Sequence, residues 1–234
     1  MDIAGSTVMV TGASRGLGKA LVEEALARGA GRVYAAMRRP VDHPDPRVVP
    51  LALDVTDTGQ IRAARQQVRA LDVLVNNAGV GDFDGLGDRA VLERHLTVNL
   101  FGTYDVTQAF LPLLLAARGA IVNVSSLSAV AAVPVMPAYS VSKAAAFSLS
   151  QSLRALLAGR GVSVHAVLAG PLDTDMSRDL PIGKAAPGPV AAAVLGGVEK
   201  GEEEIFPDPL ARTLADAWHA GPAKLLERQN AALL

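Results

Sequence analysis

Residues 7–18 read TVMVTGASRGLG. Thr7 to Val10 is a short β-branched apolar run of the kind that forms a buried strand, and a glycine-rich turn, TGASRGLG (Thr11 to Gly18), follows it. From Gly18 to Arg28 apolar residues recur at three- and four-residue spacing, the signature of a helix face. A strand passing through glycines into a helix brings free backbone N–H groups and the positive helix end to one point, where a pyrophosphate would be held. Gly12 permits the tight turn, Gly16 lets a phosphate approach the backbone, and Gly18 lets the helix pack close to the strand, although the spacing is not G-x-G-x-x-G. Alone, such a turn also admits a purely structural role, so the rest of the chain has to decide.

Outward from this turn the pattern repeats. Arg32 to Met37, Val48 to Leu53, Val73 to Val75, Ala120 to Val124 and Val162 to Val167 are further strand candidates, several of them apolar on both faces. Helical periodicity covers Gly59 to Ala70, Arg89 to Ala117 and Ala138 to Gly159, with Gly29, Gly119 and Gly161 at helix ends. Strands alternating with helices imply βαβ crossovers, so the expected fold is α/β: one domain spanning residues 1–234, a doubly wound Rossmann-type parallel sheet with helices on both faces. One crossover departs from this, because RPVDHPDPR (Arg39 to Arg47) holds three prolines and no helical period, and reads as an irregular connection. Asp173 to Pro189 reads as a loop or substrate lid. A helix from Pro189 to Lys200, a short strand around Glu204 to Phe206 and a helix beginning near Pro209 complete the pattern, and the acidic run Glu202 to Glu204 reads as a solvated junction.

Composition narrows the function. Half of the 234 residues are apolar, ample for one sizeable core, and a net charge of -1 offers no basic excess for nucleic acid or anionic lipid. Without cysteine there is no disulfide, thiolate zinc site or cysteine nucleophile. His43, His95, His165 and His219 are dispersed and form no ligand-spaced cluster, so no metal is expected and each reads as a core or surface histidine. No secretion signal precedes the first strand, and the apolar runs look short and broken against the roughly 18 residues of a membrane span, so a soluble, cytoplasmic protein without a membrane partner is expected.

Chemistry concentrates at the carboxyl ends of the strand candidates. NNAG (Asn76 to Gly79) follows the fourth strand, where ligands bind in open α/β sheets, though it also suits a simple turn. Asn99 lies in the helical pattern at VNLFG, Ser125 and Ser126 end the fifth strand, and YSVSK holds Tyr139 and Lys143. A spacing of four puts Tyr139 and Lys143 on one helix face, where an ammonium near the phenol would lower its pKa towards the neutral range needed for proton transfer. As a pair alone they could be an accidental surface contact.

The ordered set is more specific: the glycine-rich turn, NNAG, the asparagine of VNLFG, a serine thirteen positions before the tyrosine, and YSVSK together resemble the short-chain dehydrogenase/reductase family from about Thr7 to Met176. The resemblance implies an oxidoreductase of carbonyl reductase or alcohol dehydrogenase type. In it Tyr139 is the acid/base, Lys143 lowers its pKa and binds the nicotinamide ribose, Ser126 rather than Ser125 holds the substrate oxygen, and Asn99 supports a water-linked proton relay. It also implies a cofactor set of Gly12, Ser14, Arg15, Gly16, Leu17 and Gly18 in the turn, Arg38, Asp54 and Val55, Asn77, Ala78 and Gly79, Thr174, and Tyr139 and Lys143 themselves. Asp54 is expected to meet the adenine; capping the next helix is its other reading.

For NAD(H) a carboxylate is wanted at the end of the second strand, whereas the chain has Met37-Arg38-Arg39 there and Arg15 in the turn, so NADP(H) is the expected cofactor and NAD(H) the lesser one. Where the family usually has Pro-Gly after the sixth strand, this chain has Ala169-Gly170-Pro171, which displaces the proline. Val133, Val135 and Met136 within Ala129 to Met136 suggest a pocket wall for an apolar carbonyl or alcohol, or else core. The helices Arg89 to Ala117 and Ala138 to Gly159 resemble those that family members pack into homodimers and homotetramers. Two other readings stay open: an NADP(H)-sensing regulatory protein without turnover, which an intact Ser126, Tyr139 and Lys143 disfavour, and a dehalogenase-type relative that uses Ser and Tyr without nicotinamide.

Overall fold

In the computed structural model, which describes residues 1–231, the first strand is buried on both sides: Val8 and Val10 enter one apolar core and Met9 another. A strand with no polar face belongs inside a sheet that is covered twice. The strands are β1 (Thr7–Thr11), β2 (Arg32–Met37), β3 (Val48–Ala52), β4 (Val73–Asn76), β5 (Ala120–Val124), β6 (Ser163–Val167) and β7 (Glu204–Ile205), all parallel, in the order β3-β2-β1-β4-β5-β6-β7. The fold is thus the Rossmann-type doubly wound sheet, and the order reverses between β1 and β4, opening a crevice at their carboxyl ends.

The helices are α1 (Gly16–Ala27), α2 (Thr58–Gln67), α3 (Arg89–Leu96), α4 (Thr103–Ala117), α5 (Pro137–Leu157), α6 (Pro187–Lys200), α7 (Pro209–His219) and α8 (Pro222–Ala231). Leu21 of α1 and Leu195 of α6 close one core against Val8, Val10, Val33 and Val122. Ile61 of α2, Phe110 of α4 and Leu157 of α5 close the other against Met9, Leu51, Leu74 and Ile121.

Several boundaries differ from the sequence expectation for physical reasons. The expected helix Arg89 to Ala117 is one rod interrupted by a π-helical segment, Thr97–Gly102, that carries Asn99. Its 18-residue apolar window reaches a mean hydropathy of 1.2, so by length and composition alone it could span a membrane, which the reading of short, broken runs understated; Val106, Phe110 and Leu114 bury one side of it against the sheet. At its end Arg118, not Gly119, adopts the left-handed conformation, with φ 50°. Gly119 is required for another reason, since a Cβ there would come 2.2 Å from the Asp72 carbonyl oxygen. Asp54 does not cap α2, because Asp57 does, accepting from Gly59 and Gln60. Arg39 to Arg47 is irregular, and Arg47 fastens it by donating to the carbonyls of Leu26 and Ala30 behind α1. The loop after β6 ends at α6, which starts at Pro187 rather than Pro189.

The largest correction lies at the last strand. Glu202 and Glu203 are exposed, as a solvated junction requires, but the Glu204 side chain is 0% exposed. It meets Lys224 of α8 at 2.8 Å and Arg154 of α5 at 2.8 Å, and Lys224 also reaches Glu203 at 2.6 Å and Glu227 at 3.0 Å. Arg154 pairs with Glu227 as well. Helix α8, which sequence periodicity did not reveal, supplies the cation that makes burial of Glu204 tolerable. Lys224→Met leaves these carboxylates short of one partner and lowers stability by about 3 kcal/mol, the low end for a broken buried pair because Arg154 remains. Urea unfolding at neutral pH measures this, and a wild-type midpoint would show that Arg154 alone neutralises the cluster.

Candidate active site

The glycine-rich turn sits at the crevice because it is locked to the end of β4. The Asn77 side-chain amide donates to the carbonyls of Thr11 (2.9 Å) and Gly12 (3.3 Å), while the Asn77 and Ala78 N–H groups donate to the Thr11 hydroxyl, both at 3.0 Å. So close an approach excludes side chains: a Cβ on Gly12, whose φ is +67°, would lie 2.9 Å from the Ala78 Cα, and one on Gly18 would lie 2.2 Å from the Gly12 carbonyl oxygen. Arg15 stands at the N-cap of α1 in extended conformation and makes no side-chain capping bond, so the first-turn N–H groups have no side-chain acceptor. Such a helix start suits an anionic group.

From this turn a cleft of about 720 Å³ runs along the carboxyl edge of the sheet. Every residue assigned to the cofactor from sequence lines it: Gly12, Ser14, Arg15, Gly16, Leu17, Gly18, Arg38, Asp54, Val55, Asn77, Ala78, Gly79, Tyr139, Lys143 and Thr174. The cleft therefore fits a dinucleotide from the glycine-rich turn to Tyr139. Arg38 is exposed at the end of β2, and Arg15 forms a 2.8 Å ion pair with Asp175. Arg39 is not among the lining residues, so the paired arginines expected at the ribose reduce to Arg38 and Arg15. Asp54 accepts from the N–H and hydroxyl of Thr56.

Ser126, Tyr139 and Lys143 meet at the inner end of this cleft. Helix α5 starts at Pro137, and its first turns carry Tyr139 and Lys143 inward on one face, with the Lys143 Nζ 5.6 Å from the tyrosine ring centre. Lys143 is buried and donates to the Val124 carbonyl at 2.8 Å. The two adjacent serines separate by partner: Ser125 donates to the Lys143 carbonyl, whereas the Ser126 hydroxyl is hydrogen-bonded with Tyr139 and accepts from the Ser128 N–H at 3.1 Å. Asn99 is 1% exposed and is not in the cleft wall. Its side chain clamps Val80, accepting from the N–H and donating to the carbonyl at 2.9 Å each, and also donates to Ser142.

Burial sets the proton affinities here. It pushes Tyr139 above its ordinary value of 10.0, opposed by the Ser126 hydrogen bond, and pushes Lys143 down from 10.5 to about 8. The net shift of the tyrosine is thus upward, because loss of hydration outweighs the Ser126 hydrogen bond.

Sequence reasoning missed three neighbours. His95, fully buried, packs edge-on to the Tyr139 ring at 6.4 Å; its Nδ1 donates to the Val91 carbonyl and its Nε2 accepts from the Asp82 N–H, holding the strand-end loop beside the tyrosine. Leu210 of α7 lines the cleft, and Asp208 fixes the loop after β6; nothing in their spacing signals either role. Of the expected apolar wall, Val133 and Met136 line the cleft and Val135 does not.

A parallel sheet in this order, with a glycine-rich turn at its switch point, defines a dinucleotide-binding α/β protein. The short chain dehydrogenase family profile matches residues 6–184, and the chain belongs to the short-chain dehydrogenase/reductase family of oxidoreductases. Among solved structures, a short chain dehydrogenase from Burkholderia cenocepacia J2315 in complex with NADP is 39% identical, with a TM-score of 0.88 over 97% of this chain and 99% of that one. A 3-oxoacyl-[acyl-carrier-protein] reductase from Thermotoga maritima is 33% identical over 219 residues, 87% of this chain and 88% of the relative. The short chain dehydrogenase pigC of Monascus ruber is 36% identical over 197 residues, 75% of this chain and 65% of the relative; the chain spans just under two thirds of that relative's length.

Lys143 gives the site a measurable pH signature. Its charge is disfavoured by folding, so the unfolded chain holds more protons between pH 8 and 10.5, and stability rises with pH across that window. Lys143→Met is therefore expected to be more stable than wild type below pH 8, with the gain shrinking towards pH 10.5. Unfolding by urea across this range measures it; a gain that does not change with pH would show that the lysine titrates normally in the fold.

Proposed function

We propose that this protein is an NADP(H)-dependent oxidoreductase moving hydride between nicotinamide and a carbonyl or alcohol, with Tyr139 as general acid and base. The observation that carries the reading is the meeting of Ser126, Tyr139 and Lys143 in the cleft that begins at the glycine-rich turn. Bound NADPH supplies the hydride. Ser126 and the Tyr139 hydroxyl hold the carbonyl oxygen, so charge developing there meets donors already in place. Because burial keeps the Tyr139 proton on at neutral pH, the phenol acts as the acid of reduction, and the Lys143 cation beside it favours the phenolate left behind. In oxidation the same phenolate takes the proton of an alcohol. Asn99 acts by holding Val80 and Ser142 rather than by meeting substrate.

NADP(H) over NAD(H) is supported by Arg38 at the end of β2, by Arg15, and by the NADP complex of the Burkholderia relative. Exposed Phe101, Tyr104 and Val141 on the α4 and α5 side favour a homodimer or homotetramer.

Tyr139→Phe removes the proton-transferring oxygen and keeps the ring, so kcat falls by roughly 10²–10⁴ while nicotinamide binding stays close to wild type. NADPH absorbance with a panel of ketones and aldehydes measures turnover, and equilibrium titration measures binding. Binding without turnover by the wild-type protein on any carbonyl would instead favour a cofactor-sensing regulator. For Arg38→Asp the ratio of kcat/KM with NADPH to that with NADH, on one substrate at one pH, falls by about ten- to a hundredfold, since one charged hydrogen bond is replaced by repulsion. An unmoved ratio would leave the phosphate to Arg15 alone.

A further inference from the structure

Beyond Tyr139 the cleft turns apolar. Val133, Met136, Met176, Leu180, Ile182 and Leu210 line it, and Val133, Met176, Ile182 and Leu210 are among the exposed large apolar side chains of the molecule. Exposed apolar groups gathered round one concavity, rather than scattered, mark a surface that meets an apolar partner molecule. Arg94, the guanidinium lining this part of the cleft, is already paired with Asp82. An anionic substrate would therefore have to compete with a carboxylate for its counter-ion.

Leu210 is held in the wall and does not merely happen to reach it. Asp208, 2% exposed, accepts from the Gly170 N–H at 2.7 Å through one carboxylate oxygen and from the Ala211 N–H at 3.0 Å through the other. One side chain thereby caps α7 and ties its start to the loop Ala169-Gly170-Pro171, which itself lines the catalytic cleft. A Cβ at position 170 would come 2.8 Å from an Asp208 oxygen, so this clamp requires the glycine where it stands, ahead of the proline. Leu210, two residues past Asp208 and outside the matched family region 6–184, is fixed relative to the reacting groups.

We infer that Leu210, clamped over the cleft by Asp208, is a specificity-determining residue and that the substrate is an uncharged carbonyl compound with a bulky apolar body. The inference rests on the hydride-transfer reading for the word substrate, and binding measurements separate the two. With NADP⁺ present, a ketone binds without being reduced, so calorimetric titration of the NADP⁺-loaded protein with 2-tetralone and with pyruvate reads recognition alone. The bicyclic ketone is expected to bind at least about tenfold more tightly than the oxo acid. Leu210→Ala weakens 2-tetralone by roughly three- to tenfold, the loss of a few contacting methyl and methylene groups. Asp208→Asn, which cannot accept from both N–H groups through carboxylate oxygens, lowers 2-tetralone affinity in the same direction even where α7 stays folded. Pyruvate binding as tightly as 2-tetralone, no binding of either, or an unchanged 2-tetralone affinity in Leu210→Ala would each overturn the inference. Binding of 2-tetralone without its reduction by NADPH would strike the hydride-transfer reading and leave the apolar recognition intact.

Discussion

The side-chain amide of Asn77, donating to the carbonyls of Thr11 and Gly12, sets how closely the glycine-rich turn lies against the end of the fourth strand. Because that gap is too narrow for a Cβ on Gly12 or Gly18, the sequence of the turn follows from the bond, and the turn in turn aims the start of α1 into the cleft. The position of everything further along, from the exposed Arg38 to Tyr139, is measured from this contact. It also engages the Asn77 amide, so the side chain that sequence motifs assign to the cofactor serves first as a brace.

A second set of buried polar bonds carries the same rigidity to the catalytic side. Asn76 donates to Thr107 and to Asn123, and Asn123 donates to Ser150, each at 2.9 Å, joining β4, α4, β5 and α5 through the core. Buried polar groups are costly unless paired, so these bonds admit few alternative arrangements of the four elements. Ser126 lies two residues past the end of β5 and Tyr139 in the first turn of α5, which is how a strand and the helix that follows it deliver two hydroxyls to one point.

Much of this was legible beforehand because it rests on local or repeating signals. Two-sided apolar strands such as Ala120–Val124 could be read from composition alone, and the spacing of Tyr139 and Lys143 fixed their shared face. What escaped depends on long-range pairing. Glu204 looks like a surface charge until Lys224, twenty residues later, is brought beside it. Asp208 and Gly170 carry no recognisable motif because their contact exists only in three dimensions, and the rise of the Tyr139 pKa reflects how far the fold withdraws the phenol from water, which no residue spacing encodes.

The π-helical segment at Thr97–Gly102 has a consequence for the whole rod in which it lies. Each residue of an α-helix turns the chain by about 100°, so the wider turn acts as a phase shift between the parts before and after it. Before it, His95 faces the tyrosine; within it, Asn99 faces Val80; after it, Phe110 and Leu114 face the sheet. In a rod of uniform pitch and the same length these three demands fall out of step. Length is therefore constrained unevenly along the rod: loss of a single residue inside the wider turn would close it to uniform pitch with both halves still in phase, whereas the same loss before or after it would rotate one half of the rod against the other.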